Sequence, residues 1–245
     1  MNNSIAIIAG EPNSISSEII FKIWKLRRKY IHKPFFIIGN IQLLNLQMKK
    51  LKYNIGIKKI RRNFKAKDLK GKKLPVYNIK YNQKKPFEKI TSKSNKYIFE
   101  CFDAALQFAK DKKIIGFINC PVAKESLFKN KHIGITEFLS KKIGKKNNEV
   151  MLIYNKELSV SPITTHIPLD QVAKKINHIN IVKKIKIINN FYKKNFKRKP
   201  YFGILGLNPH NYYKSKKSKE KKMIEKTMKN LNKMKIKAKG PISPD

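Results

Sequence analysis

Along this chain short apolar runs alternate with amphipathic stretches, and the alternation sets out the fold before any single residue is considered. "SIAIIAG" (4–10) is a continuous apolar run of the kind that forms a buried strand. "SSEIIFKIWKLRRKY" follows at helical period, with Ile19, Ile20, Ile23 and Trp24 on one face. Ser16 or Ser17 is the expected cap of this helix, and Glu18 favours its first turn. "PFFIIG" (34–39) predicts a second strand, 41–52 a helix, and "KLPVYNI" (73–79) a further strand. Residues 92–112 read as a long helix with Ile98, Phe102, Ala105 and Ala109 on its stripe. "KIIGFIN" (113–119) is a strand that Pro121 stops, with a helix beginning beyond it. "EVMLIY" (149–154) and "LSVSPITTH" (158–166) read as consecutive strands. "PLDQVAKKI" opens a helix with Pro168 near its first turn and Asp170 at its positive end. A helix over 181–195, the strand "YFGILGL" and a helix over 218–235 complete the pattern. Strands alternating with helices imply an α/β fold with a mainly parallel sheet.

Composition changes this picture little. The 245 residues are 41% hydrophobic, enough for one large domain or two small ones. The net charge of +42 invites a nucleic-acid reading, but of the 57 basic residues only Arg27, Arg28, Arg61, Arg62 and Arg198 are arginine. Arginine is the fork preferred for phosphates and base edges, and the lysines are scattered among abundant Asn and Ile. That mixture is what A- and T-rich codons supply, so an AT-biased genome, such as a reduced endosymbiont's, accounts for the charge, and nucleic acid is not the expected partner. No apolar run approaches the roughly 18–20 residues of a membrane span. The N-terminus lacks the basic n-region of a signal peptide. Cys101 and Cys120 have no metal-type spacing and read as buried thiols in a reducing cytoplasm.

Ligands of open α/β sheets bind beyond the carboxyl ends of the strands. Four such ends stand out: "AGEPNS" (9–14), "NCPVAKE" (119–125), "TTHIPL" (164–169) and "GLNPH" (206–210). His166 and His210 fall at matched places, each past an apolar strand and beside a proline. Two such imidazoles suit a divalent metal, whereas a single strand-end histidine is more often a hydrogen-bonded loop residue. His32 and His178 read as surface residues. Lys124, at a strand-to-helix junction, is the candidate catalytic cation, placed where a phosphate or carboxylate would meet both its ammonium and a helix N-terminus. At any one position in so basic a chain, a surface lysine is the commoner explanation. Among only fifteen acids, Glu11, Glu18, Glu137 and Asp170 lie inside motif-like segments. No Walker-type or G-x-G-x-x-G motif is present.

Read in order, these segments resemble the 4-hydroxythreonine-4-phosphate dehydrogenase family of vitamin B6 biosynthesis. "AGEPNSISSEI" is similar to the family's Gly-Asp-Pro-Ala-Gly-Ile-Gly-Pro-Glu opening, "NCPVAKESL" to Ala-Pro-Val-x-Lys-Glu, and "GITEFL" to Gly-His-Thr-Glu. "VMLIYNKELSVSPITTHIPLDQV", "GLNPH" and "GPISPD" continue the match to the end. The resemblance implies two α/β/α domains of the isocitrate and isopropylmalate dehydrogenase type, over 1–125 and 126–245, in a homodimer with the site in the interdomain cleft. It implies oxidation of 4-phosphooxy-L-threonine with NAD or NADP, and decarboxylation to 3-amino-2-oxopropyl phosphate. It also implies a divalent metal (Zn, Mg or Co) on His166 and His210, and Thr136 as a substrate contact.

The sequence departs from the family at several points. Ile135 stands where the family has histidine, and Ser14-Ile15-Ser16 replaces Gly-Ile-Gly, adding side chains that would crowd a close backbone approach. "NYYKSKKSKEKK" replaces a Gly-rich stretch. The family's Tyr-His-Asp-Gln segment, with a third metal histidine and the return to the first domain, is expected to be missing. The alternatives to the full activity are a remnant with little activity, a dehydrogenase of another phosphorylated hydroxy acid, or a basic nucleic-acid-binding protein.

Overall fold

The computed structural model describes residues 4–128, 134–144, 148–165, 167–206 and 219–243. The chain divides into two compact units, Met1–Lys131 and His132–Asp245.

The first unit holds a five-stranded, wholly parallel sheet. Its strands are β1 (Ile5–Ile8), β2 (Phe35–Gly39), β3 (Ile57–Ile60), β4 (Leu74–Asn78) and β5 (Gly116–Asn119), in spatial order β3-β4-β2-β1-β5. β1 and β2 lie in the middle and are buried on both faces, so their sequences are unbroken apolar runs. Successive side chains on a strand point to opposite faces, which gives two cores. On one face Ile7, Phe35, Ile37 and Val76 pack with Ile20, Phe21 and Trp24 of α1 (Ser16–Tyr30) and Leu44 and Met48 of α2 (Ile41–Lys50). On the other, Phe36 meets Phe108 of α3 (Asn95–Lys110) edge to face at 5.4 Å, and Phe64 and Tyr77 crowd the same ring. The result is a three-layer α/β/α sandwich.

Several local expectations shift. α1 buries Ile20 and Trp24 of the expected face with Ile23 packed partly against the same core, and adds Phe21 to it. Neither Ser16 nor Ser17 caps it: the N-cap is Ile15, which has no capping oxygen, and Ser14 Oγ accepts from the Ser16 amide at 3.2 Å. The helix expected over 92–112 starts as a 3₁₀ turn, Ser92–Ser94, and buries Phe108 where Ala109 was expected.

α4 (Lys124–Phe128) closes the first unit. The second unit then has α5 (Ile135–Lys142), α6 (Leu169–Lys175), α7 (His178–Phe196), β6 (Phe202–Leu205), α8 (Lys219–Lys233) and β7 (Ala238–Ile242). β6 and β7 are parallel, and Ile204 of β6 packs on Ile181, Val182 and Ile185 of α7 and Ile224 and Leu231 of α8. A Cβ on Gly240 would lie 2.9 Å from that of Ile204, which explains a glycine inside a strand. Pro168, expected near the first turn of α6, is its N-cap residue. The two strands expected over 149–154 and 158–166 reduce to one antiparallel bridge between Ile153 and Val160, both exposed. With Pro162 in the second segment and half-exposed apolar side chains, no ladder extends from that bridge among the described residues.

Candidate functional site

Parallel pairing of β1 with β5 brings two of the four singled-out strand ends side by side in the first unit. Gly10 has φ +73°, a region glycine enters without strain, and turns the chain back against Pro121. The Glu11 amide donates to the Pro121 carbonyl at 2.8 Å. Glu11 is fully buried, and its carboxylate accepts from the Asn13 amide at 3.2 Å and from Ser94 Oγ at 2.9 Å. Ser14 and Ser16, at positions where the family has glycine, fill the crook of this turn: their hydroxyls lie 2.8 Å apart, and Ser16 Oγ donates to the Pro121 carbonyl at 3.3 Å. Asn13 and Gln83 exchange side-chain amide bonds at 2.9 and 3.3 Å, tying the turn to the loop beyond β4. Cys120, at the tip of β5, is a free thiol that burial pushes up to about 11, and burial raises the Cys101 thiol further. Neither is a ready nucleophile. Lys124 is the exposed first residue of α4, three residues past Pro121.

The second unit carries a cavity of about 380 Å³, a volume suited to a small metabolite. α5 presents Thr136 and Glu137, the segment before α6 presents Thr165, and α7 presents Lys183 and Lys184. Glu149 faces the same space, alongside the apolar Met151, Ile163 and Ile187. Thr165 Oγ1 donates to Glu137 Oε1 at 3.2 Å, while Glu137 Oε2 is buried with no hydrogen-bond partner among the described residues. Glu149 Oε2 accepts from Ser140 Oγ at 2.7 Å. Lys184 Nζ reaches the Pro162 carbonyl at 3.5 Å, and burial lowers its pKa more than Glu149 and Glu137 raise it. Two carboxylates, two ammoniums and two hydroxyls thus line one cavity, a surface suited to a small ligand that carries both signs of charge.

Of the residues singled out in the sequence, Thr136 lies in this cavity, and Thr165, the residue before His166, lines it too. Lys124 belongs to the other unit. His166 and His210 lie outside the described residues, and among the described residues no three His, Cys, Asp or Glu side chains cluster closely enough to hold a metal ion. His32 is exposed and His178 is the first residue of α7. Sequence reasoning flagged Glu137 only as a retained acid and missed Glu149 and Lys184. The signal for Lys184 was its place one turn from the apolar Ile181 and Ile188 positions of α7, hidden among so many other lysines.

Residues 31–245 match the family of the pyridoxal phosphate biosynthetic protein PdxA. This chain belongs to that family. It is 32% identical over 252 residues to the 4-hydroxythreonine-4-phosphate dehydrogenase of Aquifex aeolicus, covering 100% of this chain and 75% of the relative. With the enzyme of the same name from Sulfurihydrogenibium sp. it shares 29% identity, over 98% of this chain and 74% of the relative. The fold agrees: the crystal structure of 4-hydroxythreonine-4-phosphate dehydrogenase from Klebsiella pneumoniae superposes with a TM-score of 0.82 at 21% identity, over 99% of this chain and 76% of that one. The chain therefore spans about three quarters of the length of the PdxA relatives it matches. Among the described residues no helix is long and apolar enough to cross a membrane.

Proposed function

We propose that this PdxA-family chain is a 4-hydroxythreonine-4-phosphate dehydrogenase of pyridoxal phosphate biosynthesis that binds its phosphorylated substrate in the cavity of the second unit. The observation that supports the location is that Thr136 and Thr165, from two separate family segments, line one cavity. In this reading 4-phosphooxy-L-threonine loses a hydride from the carbon that bears its free hydroxyl and a proton from that hydroxyl. The β-keto acid then releases carbon dioxide to give 3-amino-2-oxopropyl phosphate.

NAD or NADP and a divalent ion (Zn, Mg or Co) complete the proposal, with His166 and His210 as metal ligands. When bound, the nicotinamide would accept the hydride and the metal would polarise the hydroxyl and then the ketone. The described side chains do not make up a metal site alone, so their part in the reaction is to bind and orient the substrate. Thr136 hydrogen-bonds the substrate, and the cavity lysines hold anionic groups. We also propose a cytoplasmic homodimer. Exposed Ile153, Leu158 and Val160, beside the stacked Tyr154 and Phe196 rings, offer apolar surface for a second copy.

The test is direct. Purified chain, given 4-phosphooxy-L-threonine, either nicotinamide and each of the three metals in turn, is expected to form reduced cofactor and carbon dioxide in equal amounts. No turnover in any combination would overturn the activity. Sedimentation equilibrium checks the dimer, and a single species of monomer mass at all concentrations would overturn it.

A further inference from the structure

Glu137 is an acid kept in a chain of net charge +42, on the wall of a cavity, with half of its carboxylate unused. An ionised carboxylate only accepts hydrogen bonds, and leaving one of its oxygens dry and unpaired costs more than leaving a neutral group so. Oε1 has the Thr165 hydroxyl. Oε2 has nothing among the described residues, although two lysines line the same cavity. Glu137 takes part in none of the ion pairs of the described residues, and the Lys184 ammonium is turned to the Pro162 carbonyl instead. Among the described residues no donor reaches Oε2, which leaves it for a ligand in the cavity. The terminal torsion of a glutamate is broad, so a small turn of the carboxylate brings Oε2 to the cavity surface.

We propose that Glu137 is the specificity-determining residue of this site: its free oxygen receives the ammonium of a phosphorylated amino acid, and so selects it over the matching hydroxy acid. The inference rests on reading this cavity as the substrate site. A charge-assisted N⁺–H···O⁻ contact in a partly desolvated wall is the kind of interaction whose loss is felt strongly, because an analogue bearing hydroxyl in place of ammonium leaves the buried charge uncompensated. The lysines that line the same cavity suit the phosphate and carboxylate of the same ligand, so one cavity matches both signs of a zwitterion. The same geometry also lets Glu137 brace Thr165 without touching substrate, and the experiment separates these two roles.

Calorimetric titration of the full chain with 4-phosphooxy-L-threonine and with its 2-hydroxy counterpart, in the absence of nicotinamide, measures the preference directly. The wild-type chain is expected to bind the amino ligand at least about tenfold more tightly. Glu137→Gln keeps the shape and an acceptor for Thr165, and is expected to reduce that preference to about threefold or less, mainly by weakening the amino ligand. Equal loss for both ligands, or an unchanged preference, overturns the role of Glu137 and leaves the proposed activity standing. If Glu137→Gln fails to fold, the wild type alone decides: equal affinity for the two ligands overturns the inference. Binding of neither ligand by the wild type overturns the substrate site along with it.

Discussion

A Cβ placed on Gly10 would stand 2.5 Å from the carbonyl oxygen of Pro121, across the join between the first and last strands of the parallel sheet. Backbone, not a flexible side chain, is what it meets, and φ there is +73°. Gly10→Ala therefore combines a left-handed backbone penalty with overpacking. It is expected to destabilise the first unit by about 2–4 kcal/mol, read as a lowered midpoint of urea unfolding.

Tyr97 holds the junction of β2 and α2. Its buried hydroxyl accepts from the Asn40 amide at 3.1 Å, and the Asn40 side chain caps α2 by accepting from the Leu43 amide at 2.8 Å. Tyr97→Phe strands a buried amide and is expected to cost about 1–2 kcal/mol. The same measurement on the variant should show an unchanged slope with denaturant, since the fold and its buried area are kept.

Lys197 closes α7 with φ +55°, a left-handed position that glycine usually fills at helix ends. It is exposed and has no packing to lose. Lys197→Gly is expected to stabilise the second unit by about 1 kcal/mol, the release of left-handed strain offset in part by the freer unfolded chain. Thermal unfolding of the two proteins side by side checks the sign, and a lower midpoint for the glycine variant would contradict it.

Lys184 predicts a pH dependence. Its pKa in the folded chain is depressed below 10.5 by burial, so between the folded and unfolded values the unfolded chain binds more protons. Stability linked to this residue therefore rises with pH across that interval. Compared with Lys184→Met, the wild type is expected to gain stability as pH is raised through the alkaline range toward 10.5. Unfolding curves over that range test it, and parallel pH profiles would refute a desolvated lysine.

How much of this was legible in the sequence varies with the physical source of each signal. β1 and β2 were plain, because strands buried on both faces need apolar residues at every position. β3 was hidden, because "IKKI" carries one buried residue and two lysines and becomes a strand only by pairing with β4. β7 was hidden by Gly240 and Pro241; the closeness of Ile204 explains the glycine, and no propensity scale anticipates it. Four helix or turn ends were unmarked, since lysines occupy the left-handed positions 52, 112, 197 and 235. Thr136, singled out by its family segment, lines the cavity of the second unit. The pairing of Glu137 with Thr165 depends on how α5 packs beside the segment before α6, and residue order alone does not contain it.

The position of β5 has a consequence for how the protein behaves in quantity. Among the described residues β5 pairs with β1 alone, and Ile118 within it and Ile115 just before it are 58% and 54% exposed. Such an edge is a template for strand addition between molecules. Every copy carries +42, and at low ionic strength the mutual repulsion holds these edges apart. The lysine excess thus acts as a colloidal stabiliser for a sheet that is sticky along one side. Salt withdraws that protection as the screening length falls to about 3 Å near 1 M, so this protein is one to concentrate in dilute buffer.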